Sequence, residues 1–451
     1  MAQTLDTAYL QAHDPDRHAS LAIGAVAIVD GTAPDDKRLK RLLAERIQPI
    51  ARCTQLLRAH PLSQEWIDCP DFDLAQHVRR VAIPRPGDEA ELSRAIAYAL
   101  ERPLDLDRPP WECWVIEGLT GNRWAILMKT HHGLLDGNSA ARLISRLCDD
   151  ADADTFANNA AGKQVSAPAA GKRGWVDALW RASSAAGELT GALVGAVWPA
   201  AHTEAVRTLR RYSTVRVPIA DVDSVCRKFG VSANDVALAA ITEGFRTALL
   251  GRGEQPRADS LRTLAPMPVR SAMLSHLPVE HDDPVRRLLT VHTRWQASQT
   301  TQPRPAGIVE SAIGLLPTVL RSNVLQLLSR LPQRAVVTLA TNVPGPRRHL
   351  RMMGQTLERL LPIPPTATAL HTGVAVLSYG DELVFGITAE HGDTFDVKQL
   401  AAGIELGMAR LVALGDDSVL LFTGRRRKRS ARPVQRPVPP THPSAPGHAR
   451  H

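Results

Sequence analysis

Two apolar runs set the terms on which this chain can fold. Leu21–Val29 reads LAIGAVAIV, and Trp124–Thr130 reads WAILMKT, broken only near its end by Lys129. A run of this length without a polar face reads as a strand buried on both sides, which needs helices or a second sheet as cover. Helical periodicity supplies that cover. Residues 35–48 put Leu39, Leu42, Leu43 and Ile47 on one face, and a second helix runs from Asp88, its N-cap, through Leu92, Ile96 and Leu100. Trp111–Glu117 and Trp124–Thr130 read as two strands joined by a turn at Gly121-Asn122, and a helix carrying Leu143, Ile144 and Leu147 follows Gly137.

The second half has the same mixture without a sequence repeat. Strands are expected near Thr214–Ile219 and at Leu261–Val269, Ala335–Asn342, Ala369–Ser378 and Leu383–Thr388. Helices are expected at about 221–229, 233–250, 284–299 (Pro284 in its first turn), 308–330 and 395–413. Residues 150–173 have no apolar period and read as an exposed linker. The stretch Trp175–Pro199 reads as a packed crossover helix or an interfacial one; its uncharged run, Leu189–Ala201, falls short of the ~20 residues that span a bilayer. The expectation is an α/β (α+β) chain: an N-terminal domain over 1–150, linker and crossover over 151–205, a C-terminal domain over 206–423 and a disordered basic tail over 424–451.

The net charge of +8 belongs to that tail. Its eight basic residues, Arg425 to Arg429 (with Lys428 among them), Arg432, Arg436 and Arg450, face no acid; without them the basic residues number 46, matching the 46 acidic ones. A neutral body argues against nucleic acid as a partner. The tail is rich in Pro and Arg and suits loose attraction to anionic lipid headgroups, or no role at all. Five cysteines without CxxC spacing fit a reducing compartment and neither a disulfide scaffold nor a zinc ribbon. The N-terminal residues lack the basic-then-apolar pattern of a secretory signal. A cytoplasmic protein is expected.

The chemistry concentrates at His131-His132-Gly133-Leu134-Leu135-Asp136-Gly137, where a strand gives way to a helix. Imidazole has its ordinary pKa near neutrality, so it can take a proton and return it within one turnover. A carboxylate four residues on, across a glycine-rich turn, can fix the loop or orient the ring, directly or through a distant arginine. Other readings stay open at this point. The histidines could be core residues, although neighbours on a strand face opposite sides. His131, His132 and Asp136 could be metal ligands, although a catalytic zinc wants three well-spaced ones and no HExxH is present. The expectation is a general base and no metal.

HHGLLDG resembles the active-site motif shared by CoA-dependent acyltransferases and the condensation domains of peptide synthetases. Five further segments resemble, in order, the bacterial wax ester synthase/diacylglycerol acyltransferase family, its actinobacterial members in particular. They are PLDLDRPPWECWVIEGL (103–119), ANDVALAAITEGFRTAL (233–249), TLAPMPVR (263–270), TNVPGPRRHLRMMGQTLERLLPIPPT (341–366) and LSYGDELVFGITAE (377–390). The resemblance runs from about residue 4 to 415. It implies two CoA-dependent-acyltransferase-like mixed-sheet domains flanking a central substrate channel. Acyl-CoA would enter from one side and diacylglycerol or a fatty alcohol from the other, with no further cofactor.

By the same resemblance His132 is the general base, His131 the first histidine of the motif, Asp136 its structural or orienting partner, and Gly137 the residue that permits the turn. Pro109, Pro110 and Trp111 fall on the family's Pro-Leu-Trp motif and Asn234-Asp235 on its Asn-Asp motif. With Asn342, the residues Pro109, Trp111, Asn234 and Asp235 are the candidates for substrate binding. Three of them have a plainer reading: Trp111 as core, Asn234 as a helix N-cap, Asn342 as part of a turn before Pro344-Gly345-Pro346.

The chain departs from the family pattern in three places, the first being its opening LDTAYL, a shortened form of the family's opening motif. Pro110 replaces the usual Leu and removes a backbone donor. Val269–Met273 fuses segments that family members separate by a longer connection, which leads to an expectation of weak activity. The alternatives are a condensation-type enzyme with another hydroxyl or an amine as acceptor, and a lipid-binding homologue without turnover. Peripheral association with a membrane or with lipid inclusions is expected through the tail.

Overall fold

The first apolar run forms β1 (Ala22–Asp30), buried along its whole length except at Asp30. In the computed structural model, the described residues are 22–59, 64–131, 134, 139–151, 210–258, 260–264, 276–300, 336–366, 372–390 and 395–415. After β1 come α1 (Asp36–Arg46), β2 (Gln55–Ala59), β3 (Gln64–Asp68), β4 (Val78–Ala82), α2 (Glu89–Glu101), β5 (Trp111–Leu119), β6 (Arg123–His131) and α3 (Ser139–Arg146). The second half contributes β7 (Arg210–Pro218), α4 (Ile219–Phe229), α5 (Ala233–Gly251), β8 (Arg262–Leu264), α6 (Pro284–Thr300) and β9 (Val336–Pro344). Then follow β10 (Arg351–Met352), β11 (Gln355–Thr366), β12 (Thr372–Tyr379), β13 (Glu382–Glu390) and α7 (Val397–Gly415).

Local signals account for much of this. Gly121 and Asn122 take φ of 75° and 52°, the left-handed pair that closes a tight hairpin between β5 and β6. The Asp88 carboxylate accepts the Ala90 and Glu91 N–H groups at 3.0 and 2.9 Å and starts α2. Asp35 does the same for α1 through the Arg38 N–H at 2.7 Å.

A six-stranded sheet runs β10-β11-β1-β6-β5-β4 and a five-stranded one β7-β13-β12-β9-β8; β2 and β3 form a separate hairpin. The first sheet buries one face under α1 and α3. Its other face, through Val26, Ile28, Trp114 and Leu127, meets α2 together with Tyr212 of β7 and Val384 of β13. The second sheet is covered by α4, α5, α6 and α7. The sheets therefore meet across a seam.

The first sheet corrects the expected division of the chain at 206. Its strands β10 and β11 come from residues 351–366, beyond that boundary, and β11 pairs antiparallel with β1 along most of its length. Pro362, Pro364 and Pro365 make this segment unlike a strand in sequence, because proline cannot donate to a ladder. Among the described residues only the two-residue β10 stands beyond β11, so most of its outer side is an edge that needs no donors. The strands β2, β3 and β4 were not expected either. The proposed linker and crossover, the helix at 308–330, the fused segment at 269–273 and the basic tail lie outside the described residues.

Candidate active site

The histidine motif begins on the last residue of β6. His131 is fully buried, its N–H donates to the Pro110 carbonyl at 2.8 Å, and its carbonyl accepts the Leu134 N–H at 3.0 Å. His132, Asp136 and Gly137 lie outside the described residues, so their expected roles remain proposals. Alternation along β6 puts His131 on the same side as Ala125 and Leu127, which pack into the seam with Tyr212 and Val384. The first histidine thus looks towards the second sheet. The Arg52 guanidinium approaches the loop from below the sheet, 3.5 Å from the Leu134 carbonyl, and lies over the Trp66 ring.

Pro109 and Pro110 are both buried and lead into β5. The donor that proline lacks is not needed in this position. Trp111 takes the next step by donating its N–H to the Pro109 carbonyl at 2.8 Å, while the Pro110 carbonyl serves His131.

Trp111 itself is a correction. Its indole is 1% exposed, donates to the Cys53 carbonyl at 2.8 Å and stacks on the His77 ring at 4.5 Å. The His77 Nδ1–H donates in turn to the Trp111 carbonyl at 2.8 Å, and burial lowers the pKa of that imidazole, which keeps it neutral. Every side of the indole is spent on protein. Trp111 is a wedge that shapes the start of β5 and has no face left for a substrate.

Asp235 is buried as well, within a capping box. Ser232 is the N-cap of α5, accepting the Asp235 N–H at 3.2 Å, and the Asp235 carboxylate returns to the Ser232 N–H at 2.9 Å. The same oxygen takes the His292 Nδ1–H of α6 at 2.8 Å. Asn234 is therefore not the N-cap; it stands one residue inside the helix, and its Nδ2 is buried without a partner. Among the described residues no hydrogen bond joins this pair to β6. Asn342 is not in a turn. It lies in β9, where Thr341 and Asn342 together oppose Val376 in a bulge between the pairs Ala375–Ala340 and Leu377–Val343.

A group of charges outside the histidine motif surrounds the end of β6. Lys129 is buried two residues before His131, with Glu112 of β5 at 3.5 Å. Across the seam Arg210 lies 3.5 Å from Glu390, and its N–H donates to Glu101 of α2 at 3.0 Å. A charge inside the apolar run was the available signal. No group of His, Cys, Asp and Glu suited to a metal occurs among the described residues, and no helix there is long and apolar enough to cross a membrane.

The sequence matches the wax ester synthase/diacylglycerol acyltransferase catalytic domain over residues 3–237 and the WS/DGAT C-terminal domain over residues 270–411. The Mycobacterium tuberculosis (strain ATCC 25618 / H37Rv) protein named "Putative diacyglycerol O-acyltransferase Rv3371" is 59% identical over 458 residues, spanning 100% of both chains. A second protein of that strain, "Probable diacyglycerol O-acyltransferase tgs1", is 45% identical over 444 residues, or 91% of this chain and 95% of its own. The solved wax ester synthase/diacylglycerol acyltransferase from Marinobacter aquaeolei VT8 shares the fold, with a TM-score of 0.63 at 22% identity over 92% of this chain and 99% of that one. Matched in both halves and along its full length, the chain belongs to the wax ester synthase/diacylglycerol acyltransferase family.

Proposed function

We propose that the protein transfers a long-chain acyl group from acyl-CoA to the hydroxyl of diacylglycerol, and to long-chain alcohols as a second acceptor class. The observation that supports this most directly is the place of the motif. It starts on the last residue of a central strand of the first sheet, with α3 following at Ser139. The names carried by the full-length relatives point to the same acceptor.

In this reading His132 takes the proton of the acceptor hydroxyl as its oxygen attacks the thioester carbonyl. Collapse of the tetrahedral intermediate breaks the carbon–sulfur bond, and the departing thiolate receives the proton back from His132. Asp136 holds the loop in the geometry this requires. Transfer is direct, without an acyl-enzyme. Burial pushes the thiols of Cys53, Cys113 and Cys148 up to about 12 and that of Cys226 to about 11, which leaves them protonated and poorly nucleophilic near neutrality. The sequence also has no GxSxG elbow. Lipid substrates suit a peripheral enzyme, held at an anionic surface by the basic tail.

The test is radiolabelled acyl-CoA offered to the purified protein with diacylglycerol, long-chain alcohols and amines in parallel. Triacylglycerol should be the main product. Transfer only to amines, or none at all, would overturn the reading. Deleting 425–451 should leave the rate in detergent unchanged while weakening recovery on anionic vesicles in a salt-dependent way.

A further inference from the structure

Helix α2 ends at Glu101 with Arg102 as its C-cap and has no basic residue in its last turn. The final carbonyls of a helix need donors from elsewhere. Lys129 of β6 supplies them: its Nζ donates to the Ala99 carbonyl at 3.0 Å and to that of Arg102. The same ammonium faces Glu112, its direct neighbour in the β5–β6 ladder, whose Oε2 also accepts the Trp114 indole N–H at 3.0 Å. One charged group thus joins α2, β5 and β6. An apolar side chain of similar length would avoid the desolvation cost of burying a charge, so core packing alone does not account for a lysine here.

Resting on the acyl-transfer reading above, we infer that Lys129 is a positioning residue. Its ammonium clamps α2 and β5 to β6 and so fixes the strand end at His131, two residues on, where the histidine motif begins.

The charged groups facing Lys129 are Glu112 from β5, Arg102 at the C-cap of α2 and Arg210 from β7, which in turn meets Glu101 of α2 and Glu390 of β13; His131 is next on its own side of β6. Burial, opposed by Glu112 and reinforced by Arg102 and Arg210, lowers the pKa of Lys129 to about 8. Proton loss above that pH removes the charge that holds Glu112. The clamp then weakens in the alkaline range, whereas an arginine at 129 would keep its charge.

The experiment compares wild type, Lys129→Met, Lys129→Arg and the double variant Glu112→Gln/Lys129→Met, which removes both charges and guards against misfolding. Acyl transfer to diacylglycerol is followed from about pH 6 to 10, and amide hydrogen exchange is followed in parallel. A displaced base costs rate and not affinity, so Lys129→Met and the double variant should lose at least about tenfold in kcat with KM for acyl-CoA little changed. Lys129→Arg should recover part of that loss and hold its rate to higher pH than wild type. The His131 N–H, bonded to the Pro110 carbonyl, should exchange faster in Lys129→Met while amides of β13 do not change. Wild-type kcat and an unmoved alkaline limb in both the Met and the double variant would overturn the inference, as would unchanged exchange at His131. Hydrogen exchange needs no turnover, so a wild-type protein without acyl transfer would refute the proposed reaction and still leave Lys129 decided by the amides.

Discussion

Gly386 of β13 sits against the Pro362 carbonyl of β11, so close that a methyl group at 386 would overlap the oxygen. The two strands belong to different sheets, and the same carbonyl accepts the Tyr212 hydroxyl at 3.0 Å. Backbone meets backbone across the seam, and any side chain at 386 must push the sheets apart. Gly386→Ala should cost about 3 kcal/mol, the upper part of the range for overpacking, with a matching fall in the urea midpoint. A wild-type midpoint would mean that the seam yields freely.

His132→Ala should lower turnover by about 10²–10⁴, the usual worth of a general base, with the unfolding curve unchanged. His131→Ala should show the opposite balance. Its ring is fully buried in the described structure, so its removal leaves a cavity and should lower the melting temperature, with a milder loss of rate. Equal activities of wild type and His132→Ala, measured on folded protein, would remove the assigned role.

Arg52 is the arginine that reaches the motif among the described residues, at the Leu134 carbonyl. It is thus the first partner to test for Asp136. A double-mutant cycle of Arg52→Ala and Asp136→Asn, read by unfolding free energy, should show a coupling of about 1–3 kcal/mol. Additive losses would place the partner of Asp136 elsewhere.

What could be read in the sequence is what local chemistry determines. The β5–β6 hairpin follows from Gly121-Asn122, and the start of α2 follows from Asp88, because the groups that satisfy each other lie within a few residues. The histidine motif was legible for a related reason, since few side chains can exchange a proton near neutrality. β11 was not legible. Its prolines argue against a strand, and only its pairing with β1, from the other half of the chain, shows why they are tolerated. Trp111 had two readings, substrate wall by resemblance and core by its place at a strand start, and the positions of Cys53 and His77 show its ring enclosed. Lys129 was visible as a charge in an apolar run, but the Ala99 and Arg102 carbonyls it serves are backbone atoms that no side-chain pattern announces.

Asp235 can be separated from a substrate role by its neighbours. If it acts through the capping box and His292, Ser232→Ala should cost about 1 kcal/mol and Asp235→Ala more, about 2, with rates following stability. Asn234→Ala removes no hydrogen bond of the Nδ2 group and should leave the unfolding midpoint nearly unchanged. A large loss of kcat in Asn234→Ala or Asp235→Ala without loss of stability would restore both residues to the catalytic machinery.

The pH dependence of stability offers a separate reading of Lys129. Its pKa falls from 10.5 to about 8 on folding, chiefly through desolvation. Between those values the unfolded chain binds the proton that the folded one has released, so this group makes stability rise with pH. The contribution is complete above 10.5 and is lost as the pH falls through about 8, where holding the charged amine costs about 3 kcal/mol. Other groups work against it. Cys53, Cys113, Cys148 and Cys226 keep their protons in the folded state above 9.0, and Tyr212 and Tyr379 are raised in the same sense, so these groups lower stability as the pH climbs. Wild type alone therefore gives a mixed curve. The difference between wild type and Lys129→Met cancels the common groups and should move in favour of wild type by up to about 3 kcal/mol from pH 7 to pH 10. A difference that stays flat over that interval would show that Lys129 holds its proton as a solvated lysine does, and that its ammonium is not confined beneath α2.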